Sequence, residues 1–130
     1  MDNNGRRCWT LRLSGHVPSK KNSRQTIRGG RSIPGKAYGE WHKRAMSELF
    51  PQRAGKPSAR DIVSAELDFV MTDNRRRDLD NMASSVLDLL QDAGIIADDC
   101  WREIPELVLR GFRADAGEEA CCVIRIHCGA

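Results

Sequence analysis

The sequence predicts an α+β fold, a small mixed β-sheet with helices packed on it, with elements in the order β-α-β-α-β-β. Four segments have the residue pattern of strands, and two others repeat apolar residues at helical spacing. The chain has 130 residues and no internal repeat, a length typical of one domain with one hydrophobic core. We therefore expect residues 1–130 to form a single domain.

The first predicted strand covers residues 8–15, where Trp9, Leu11 and Leu13 alternate with polar residues. A loop rich in glycine, proline and serine follows over residues 17–36, and long loops in small domains are usually functional or disordered. Its central Gly-Gly, flanked by arginines, could be the tip of a hairpin arm. Its basic side chains suit the phosphates of a nucleic acid, and the candidate contacts are Lys20, Lys21, Arg24, Arg28 and Arg31.

The middle of the chain contains a helix, a linker and a strand. Apolar residues at four-residue spacing predict a helix over residues 37–50, and Pro51 is expected to stop it. Residues 51–60 are expected to be a linker because they contain proline, glycine and polar residues. Strict alternation over residues 62–71 then predicts a half-buried strand.

The last third begins with the second helix, predicted over residues 80–93 from its apolar spacing. Gly94 fits the left-handed residue that ends a helix. Strands over residues 104–113 and 120–127 complete the sheet, and the segment 114–117 is the turn between them.

Composition excludes several classes of protein. No apolar run approaches 18 residues, so no membrane span is expected, and the first residues lack the apolar segment of a secretory signal. Five cysteines without CxxC spacing argue against a disulfide framework and a zinc ribbon. We expect them to be thiols in a reducing cytoplasm; a metal site at Cys121, Cys122, His127 and Cys128 is the weaker alternative.

Charge is distributed unevenly along the chain. Residues 1–60 hold 14 Lys and Arg against 3 acids, and residues 61–130 hold 7 against 15, which together give the net charge of +3. This asymmetry suggests a basic surface from the first half and an acidic site from the second. The alternative is that these charges pair across the fold.

Four aspartates bracket the second predicted helix, and three arginines, Arg75, Arg76 and Arg77, stand before it. Carboxylates held together repel one another, and a divalent cation relieves that repulsion. Helix capping would explain one aspartate at the start of the helix but explains two less well. The candidate metal ligands are Asp78, Asp80, Asp98 and Asp99.

The distance between the two aspartate pairs is a constraint on this site. A helix of about 14 residues is about 20 Å long, so Asp98 and Asp99 can meet Asp78 and Asp80 in two ways only. Either the segment after Gly94 folds back along the helix, or another chain contributes. Mg²⁺ prefers oxygen ligands, often one or two carboxylates with water and substrate phosphate, and the scattered histidines His16, His42 and His127 are expected to be structural.

These residues resemble the RusA family of Holliday junction resolvases. The resemblance rests on Asp78-x-Asp80-Asn81, Asp88, Ala93-Gly94-Ile-Ile, Asp98-Asp99 and the earlier segment Pro18-Ser19-Lys20-Lys21-Asn22. It implies a homodimer that uses Mg²⁺, with Mn²⁺ a possible substitute, to cut four-way DNA junctions. It also implies that Asp78, Asp80 and Asp99 form the metal site, with Asp98 beside them.

One position departs from the family pattern. The family places a lysine four residues after the second aspartate of DxD, and this chain has Ser84 there. Loss of such a positive charge typically costs about 10²–10³-fold in rate. Two explanations are open. In the first, another cation replaces the lysine, with Lys20 and Lys21 the first candidates and Arg77 the next. In the second, the protein is a DNA-binding relative with weak or no catalysis. A DxD-type nucleotide-sugar transferase is disfavoured, because the sequence shows no nucleotide-binding βαβ unit.

Three further residues have two interpretations each. Asn81 could orient an aspartate or only start the helix, and Asp88 could belong to the site or to a solvated helix face. Trp101 could stack on an unpaired base or fill the core or a dimer interface.

Overall fold

A computed structural model describes residues 6–19, 24–26 and 32–129, with side chains from Trp9 to Ser19 and from Gly35 onward. The fold is α+β, as predicted, with two helices and a mixed four-stranded sheet. Its elements in chain order are β1 (Arg6–Ser14), β2 (Arg24–Thr26), β3 (Ser32–Pro34), α1 (Lys36–Arg53), β4 (Ile62–Met71), α2 (Leu79–Asp92), β5 (Leu107–Arg113) and β6 (Cys121–Cys128).

The main sheet has the strand order β1-β6-β4-β5. β6 pairs antiparallel with both β1 and β4, whereas β5 pairs parallel with β4. A parallel pair needs a crossover connection, and α2 lies in the segment that connects β4 to β5. The crossover therefore places the start of α2 just after the carboxyl end of β4, where ligands bind in many α/β sheets.

The hydrophobic core lies between the sheet and the two helices. The strands contribute alternate residues, and α2 contributes almost every residue of its inner face, as its strong amphipathic pattern predicts. Each of the largest buried apolar side chains adds about 1.5–3 kcal/mol to stability. These fully buried side chains include Leu11, Leu67, Phe69, Met82, Leu89, Leu90, Ile95, Ile96, Ile124 and Ile126.

The two edges of this sheet differ. At β1, the Gln52 side chain accepts a hydrogen bond from the Arg12 backbone N–H and donates one to its carbonyl, both at 2.8 Å. Glu48 likewise accepts from the Ser14 backbone N–H at 2.9 Å. Among the described residues, nothing hydrogen-bonds in this way to the outer edge of β5. An uncovered edge strand is a template for pairing with another chain.

The N-terminal half departs from its predicted elements in two places. Pro51 lies inside α1 and not at its end. A proline in the last turn removes only one helical hydrogen bond. The side chains of Gln52 and Arg53 also donate to backbone carbonyls of β1 and of the residue after α2, which holds the end of the helix in place. The segment 17–36 is not all loop, since β2 and β3 pair antiparallel within it. This pairing is consistent with a hairpin arm, and the suggested Gly-Gly tip lies outside the described residues.

The described cysteine side chains are in two states, thiol and disulfide. Cys100, Cys121 and Cys122 are thiols, whereas Cys128 is disulfide-bonded, so the expectation of thiols throughout is wrong for that residue. None of the helices in the described part of the chain has the length and apolarity needed to cross a bilayer.

Candidate metal centre and arginine-lined cleft

Asp78 and Asp80 lie together at the N-terminus of α2. Asp78 is the N-cap by position, yet its side chain makes no capping hydrogen bond, so capping does not account for its carboxylate. The Asn81 side-chain amide donates to Asp78 Oδ2 at 3.3 Å, and the Asn81 backbone N–H donates to Asp80 Oδ1 at 2.9 Å. Asn81 therefore holds both carboxylates on one side of the helix start.

Asp98 and Asp99 lie beside the C-terminal half of α2. The Gln91 side-chain amide donates to Asp98 Oδ1 at 3.4 Å, and the Asp99 backbone N–H donates to the same oxygen at 2.7 Å. Partial burial raises the pKa of Asp99, the Asp98 carboxyl raises it further, and the charge of Asp88 adds to the effect. The segment after Gly94 therefore returns close enough to α2 for Asp99 to be affected by the charge of Asp88.

The two aspartate pairs remain apart within one chain. Asp88 follows Asp80 by eight residues, which is about 12 Å along a helix. Across the described residues, no three or more His, Cys, Asp or Glu side chains are grouped closely enough to hold a metal ion. Of the two routes that the sequence allowed, folding back within the chain does not bring the four aspartates together.

The donor atoms at the start of α2 nevertheless fit a hard divalent cation. The Asp78 side chain is 45 % exposed, and Arg76 Nε lies 3.6 Å from its Oδ1. Asp80 uses one carboxylate oxygen for the Asn81 N–H and lies exposed at the surface. Mg²⁺ is commonly bound by one or two carboxylates with water and substrate phosphate, and this pair supplies the carboxylates of that set.

A cleft of about 560 Å³ adjoins Asp78. One wall carries the three consecutive arginines, and the other comes from the chain that follows β1 and from the first turn of α1. The residues that line it are His16, Val17, Pro18, Ser19, Ala37, Arg75, Arg76, Arg77, Asp78 and Met82. An anionic backbone lying in this cleft would pass beside the two carboxylates.

The arginines of the cleft have different roles. Arg77 is 14 % exposed and is paired with Asp73, its two terminal nitrogens lying 2.5 and 3.2 Å from the carboxylate oxygens. The hydrogen bond from Arg77, with one from the Arg75 backbone N–H, holds the pKa of Asp73 far below its usual range. Arg77 therefore fixes the turn, and Arg75 and Arg76 remain exposed for a phosphate.

His16 joins the two walls of the cleft. Its Nε2 accepts a hydrogen bond from the Thr72 backbone N–H at 3.1 Å, which ties the chain after β1 to the turn after β4. Burial lowers the pKa of His16, and the charges of Arg77 and Arg75 lower it further against the opposing effect of Asp73. A neutral ring that accepts at Nε2 carries its proton on Nδ1.

A buried serine anchors the start of the basic segment, residues 17–36, to α2. Ser85 is fully buried, and its hydroxyl donates to the Pro18 carbonyl at 2.7 Å. Lys20 follows Pro18 by two residues, so the basic segment leaves the described structure close to the start of α2. Lys20, Lys21, Arg28 and Arg31 themselves, and the Arg24 side chain, lie outside what the structure describes.

Three of these contacts could not be found from the sequence. His16 was expected to be structural in general, and nothing in the sequence linked it to Thr72. Ser85 and Asp73 attracted no functional interpretation, because their partners are distant in sequence or belong to a turn. Trp101, by contrast, is 75 % exposed, which removes core filling from its possible roles.

The Ser84 position offers a direct test of the departure from the family pattern. Ser84 is exposed on α2 one turn after Asp80, and a side chain there leans toward the N-terminus of the helix. We expect Ser84→Lys to raise or preserve cleavage, since a lysine could contact the phosphate at the aspartate pair. Single-turnover cleavage rates measure this effect, with Ser47→Lys at an exposed position of α1 as the charge-matched control. A folded variant that loses activity would mean that the local geometry differs from the family.

Paired aspartates beside an arginine-lined cleft suit an enzyme that cleaves phosphodiesters in nucleic acid. Comparison with known proteins agrees: the family model for "Endodeoxyribonuclease RusA" matches residues 15–124. A curated protein of Aquifex aeolicus (strain VF5), named "Crossover junction endodeoxyribonuclease RusA", is 32% identical over 89 residues, which are 68% of this chain and 70% of that protein. The chain belongs to the RusA family of endodeoxyribonucleases, as its resemblance implied.

Proposed function

We propose that this protein is a Mg²⁺-dependent homodimeric endonuclease that resolves four-way DNA junctions by paired cuts in the cytoplasm. The observation that carries the proposal is the convergence of Asp78 and Asp80 at Asn81, directly beside the arginine-lined cleft. The name of the Aquifex relative supports a crossover junction as the substrate.

The residues of the proposed site have different roles in phosphodiester hydrolysis. Asp78 and Asp80 would hold the cation, and Asn81 orients both of them. When bound, the cation supplies Lewis acidity toward the phosphoryl oxygen and lowers the pKa of the attacking water. Arg75 and Arg76 bind flanking phosphates, and Arg77 with Asp73 keeps their turn in place.

The uncovered edge of β5 supports a dimer. β5 is the edge strand opposite β1, and its Leu107 and Phe112 side chains are exposed although they are large and apolar. A two-fold dimer uses the same surface on both copies, so β5 would pair antiparallel with β5 of a second copy. Such pairing would satisfy the backbone groups of both edges.

This pairing would also bring the separated aspartates together. The end of β5 lies near the start of α2, since Leu79 packs against Gly111, whereas Asp98 and Asp99 belong to the segment that leads from the end of α2 into the start of β5. Antiparallel pairing places the start of one β5 beside the end of the other. We therefore propose that Asp98 and Asp99 of one chain complete the site formed by Asp78 and Asp80 of its partner.

Lys20 and Lys21 are the proposed replacements for the family lysine. They follow Pro18, whose carbonyl accepts a hydrogen bond from Ser85 in the second turn of α2, so a lysine two or three residues further along could reach the reacting phosphate. We expect Lys20→Ala and Lys21→Ala, above all together, to lower the cleavage rate by about 10²-fold at saturating DNA. Lys36→Ala removes an exposed charge from the end of the same segment and serves as the control. Weakened binding with an unchanged rate would assign both lysines to DNA binding alone.

The second candidate function is junction binding without catalysis, and Ser84 is the observation that favours it. Two acidic side chains retained beside an arginine cleft argue against it, because a pure binder gains affinity by losing negative charge near phosphate. Gel-shift binding to a junction and to linear duplex in EDTA, followed by addition of Mg²⁺, separates the two functions. Junction-selective binding followed by cleavage supports the nuclease, and binding without cleavage in Mg²⁺ or Mn²⁺ supports the binder.

A further inference from the structure

The arginine-lined cleft has two chemically different surfaces. His16, Arg75, Arg76 and Arg77 form a cationic and hydrogen-bonding side. The apolar lining residues are Val17, Pro18, Ala37 and Met82, and Ser19 and the Asp78 carboxylate complete the lining. A groove that only tracks a DNA backbone has no need of apolar lining residues, so this combination points to a ligand with one anionic and one flat, weakly polar part.

The size of the cleft agrees with such a ligand. Its volume of about 560 Å³ falls within the range of small-molecule pockets, about 300–1,000 Å³. A single phosphate group would leave most of that space unfilled. We infer that the cleft binds one unpaired nucleotide of the DNA substrate, with its phosphate on the arginines and its base against the apolar lining residues. This inference rests on the proposed function.

The cationic side is arranged for a phosphate. The Arg76 side chain is 91 % exposed and Arg75 is also exposed, so both guanidinium groups can turn toward an entering anion. Arginine binds phosphate through two parallel hydrogen bonds, which fixes direction as well as position. Arg77 remains in its pair with Asp73 and keeps the turn rigid.

The apolar side is arranged for a base. Val17 and Met82 are almost fully buried, so the apolar surface that a base can contact comes mainly from Pro18 and Ala37. His16 uses Nε2 to accept from Thr72, which leaves the Nδ1 proton without a partner among the described residues. That N–H can donate to a carbonyl or ring nitrogen on the edge of a base.

The nucleotide must be unpaired because both flat faces of a base in a duplex are covered by its stacked neighbours, so only a base taken out of the stack can lie against the apolar residues of the cleft. Extracting a base from a stack costs a few kcal/mol, and the cost is least where pairing is already broken. In a branched substrate that condition is met at the branch point. Since Asp78 lines the same cleft, a nucleotide held there would lie next to the phosphodiester that is cleaved at Asp78 and Asp80.

The test uses four-way junctions with the fluorescent base 2-aminopurine placed in turn at each position next to the branch point. Binding in EDTA is expected to raise the fluorescence at one position, because the base leaves its stack. Ala37→Leu fills the cleft from an exposed helical position without disturbing the core, and it should abolish the rise and weaken junction binding about 10-fold. Ser47→Leu makes the same addition at an exposed site of α1 outside the cleft and should behave as the unmodified protein.

An abasic nucleotide at the responding position supplies the second arm. If the base occupies the cleft, its removal should make the unmodified protein and Ala37→Leu bind equally well. No fluorescence change at any position, or the same change in Ala37→Leu, would overturn the inference. Cleavage of the unlabelled junction by the unmodified protein is measured in parallel, so failure of this inference is distinguished from failure of the proposed nuclease function.

Discussion

Asp80→Asn is expected to reduce junction cleavage at least about 10³-fold, because a neutral amide replaces a cation ligand and removes several kcal/mol of charge stabilisation. Junction binding in EDTA should be unchanged or tighter, since one negative charge near the phosphates is lost. Single-turnover cleavage and gel-shift binding measure the two effects.

Asp115→Asn is the matched control for this substitution. Asp115 lies exposed in the turn between β5 and β6, where asparagine is equally suited, so activity should be retained. Retained cleavage by Asp80→Asn would exclude this carboxylate from the chemistry, and loss of both cleavage and binding would point to a folding defect.

The second large effect is expected from mixing two inactive variants. Asp80→Asn and Asp99→Asn should each be inactive alone. If each site combines Asp80 of one chain with Asp99 of its partner, a mixed dimer contains one doubly altered site and one intact site. Mixing the two proteins should therefore restore single-strand nicking of the junction, from no measurable activity to a substantial fraction of the normal rate, without restoring paired cuts.

This mixing experiment has a built-in control. In a mixture of Asp78→Asn and Asp80→Asn, both substitutions lie at the same end of α2. Each site of a mixed dimer then carries one substituted aspartate, so activity should stay absent. If the mixture of Asp80→Asn and Asp99→Asn also stays inactive after confirmed subunit exchange, each site draws its aspartates from one chain. The proposed β5 contact would then be wrong.

Most of the fold could be predicted because its signals are local. The strand at 62–71 has the predicted bounds, since strict alternation and its flanking polar residues both mark it. Pro51 was misread because a proline signals a helix stop, whereas side chains from Gln52 and Arg53 hold the last turn through partners about 40 residues away. Sequence periodicity carries no information on such distant contacts.

The candidate site could be predicted in part for the same reason. The grouping of Asp78, Asp80 and Asn81 follows from adjacent positions at a helix start. The place of Asp98 and Asp99 depends on how far the chain folds back after Gly94, which no local pattern specifies. The cleft depends on His16 and Thr72, which are 56 residues apart and share no motif.

The central claim is that two metal-dependent sites cut a junction in pairs, and a supercoiled plasmid with an extruded cruciform tests it most directly. Two cuts made within the lifetime of one complex yield linear DNA, whereas separate cuts release the supercoiling first and yield nicked circles. With Mg²⁺ we expect linear product, and with EDTA none. Nicked circles alone, or cleavage that persists in EDTA, would contradict the account.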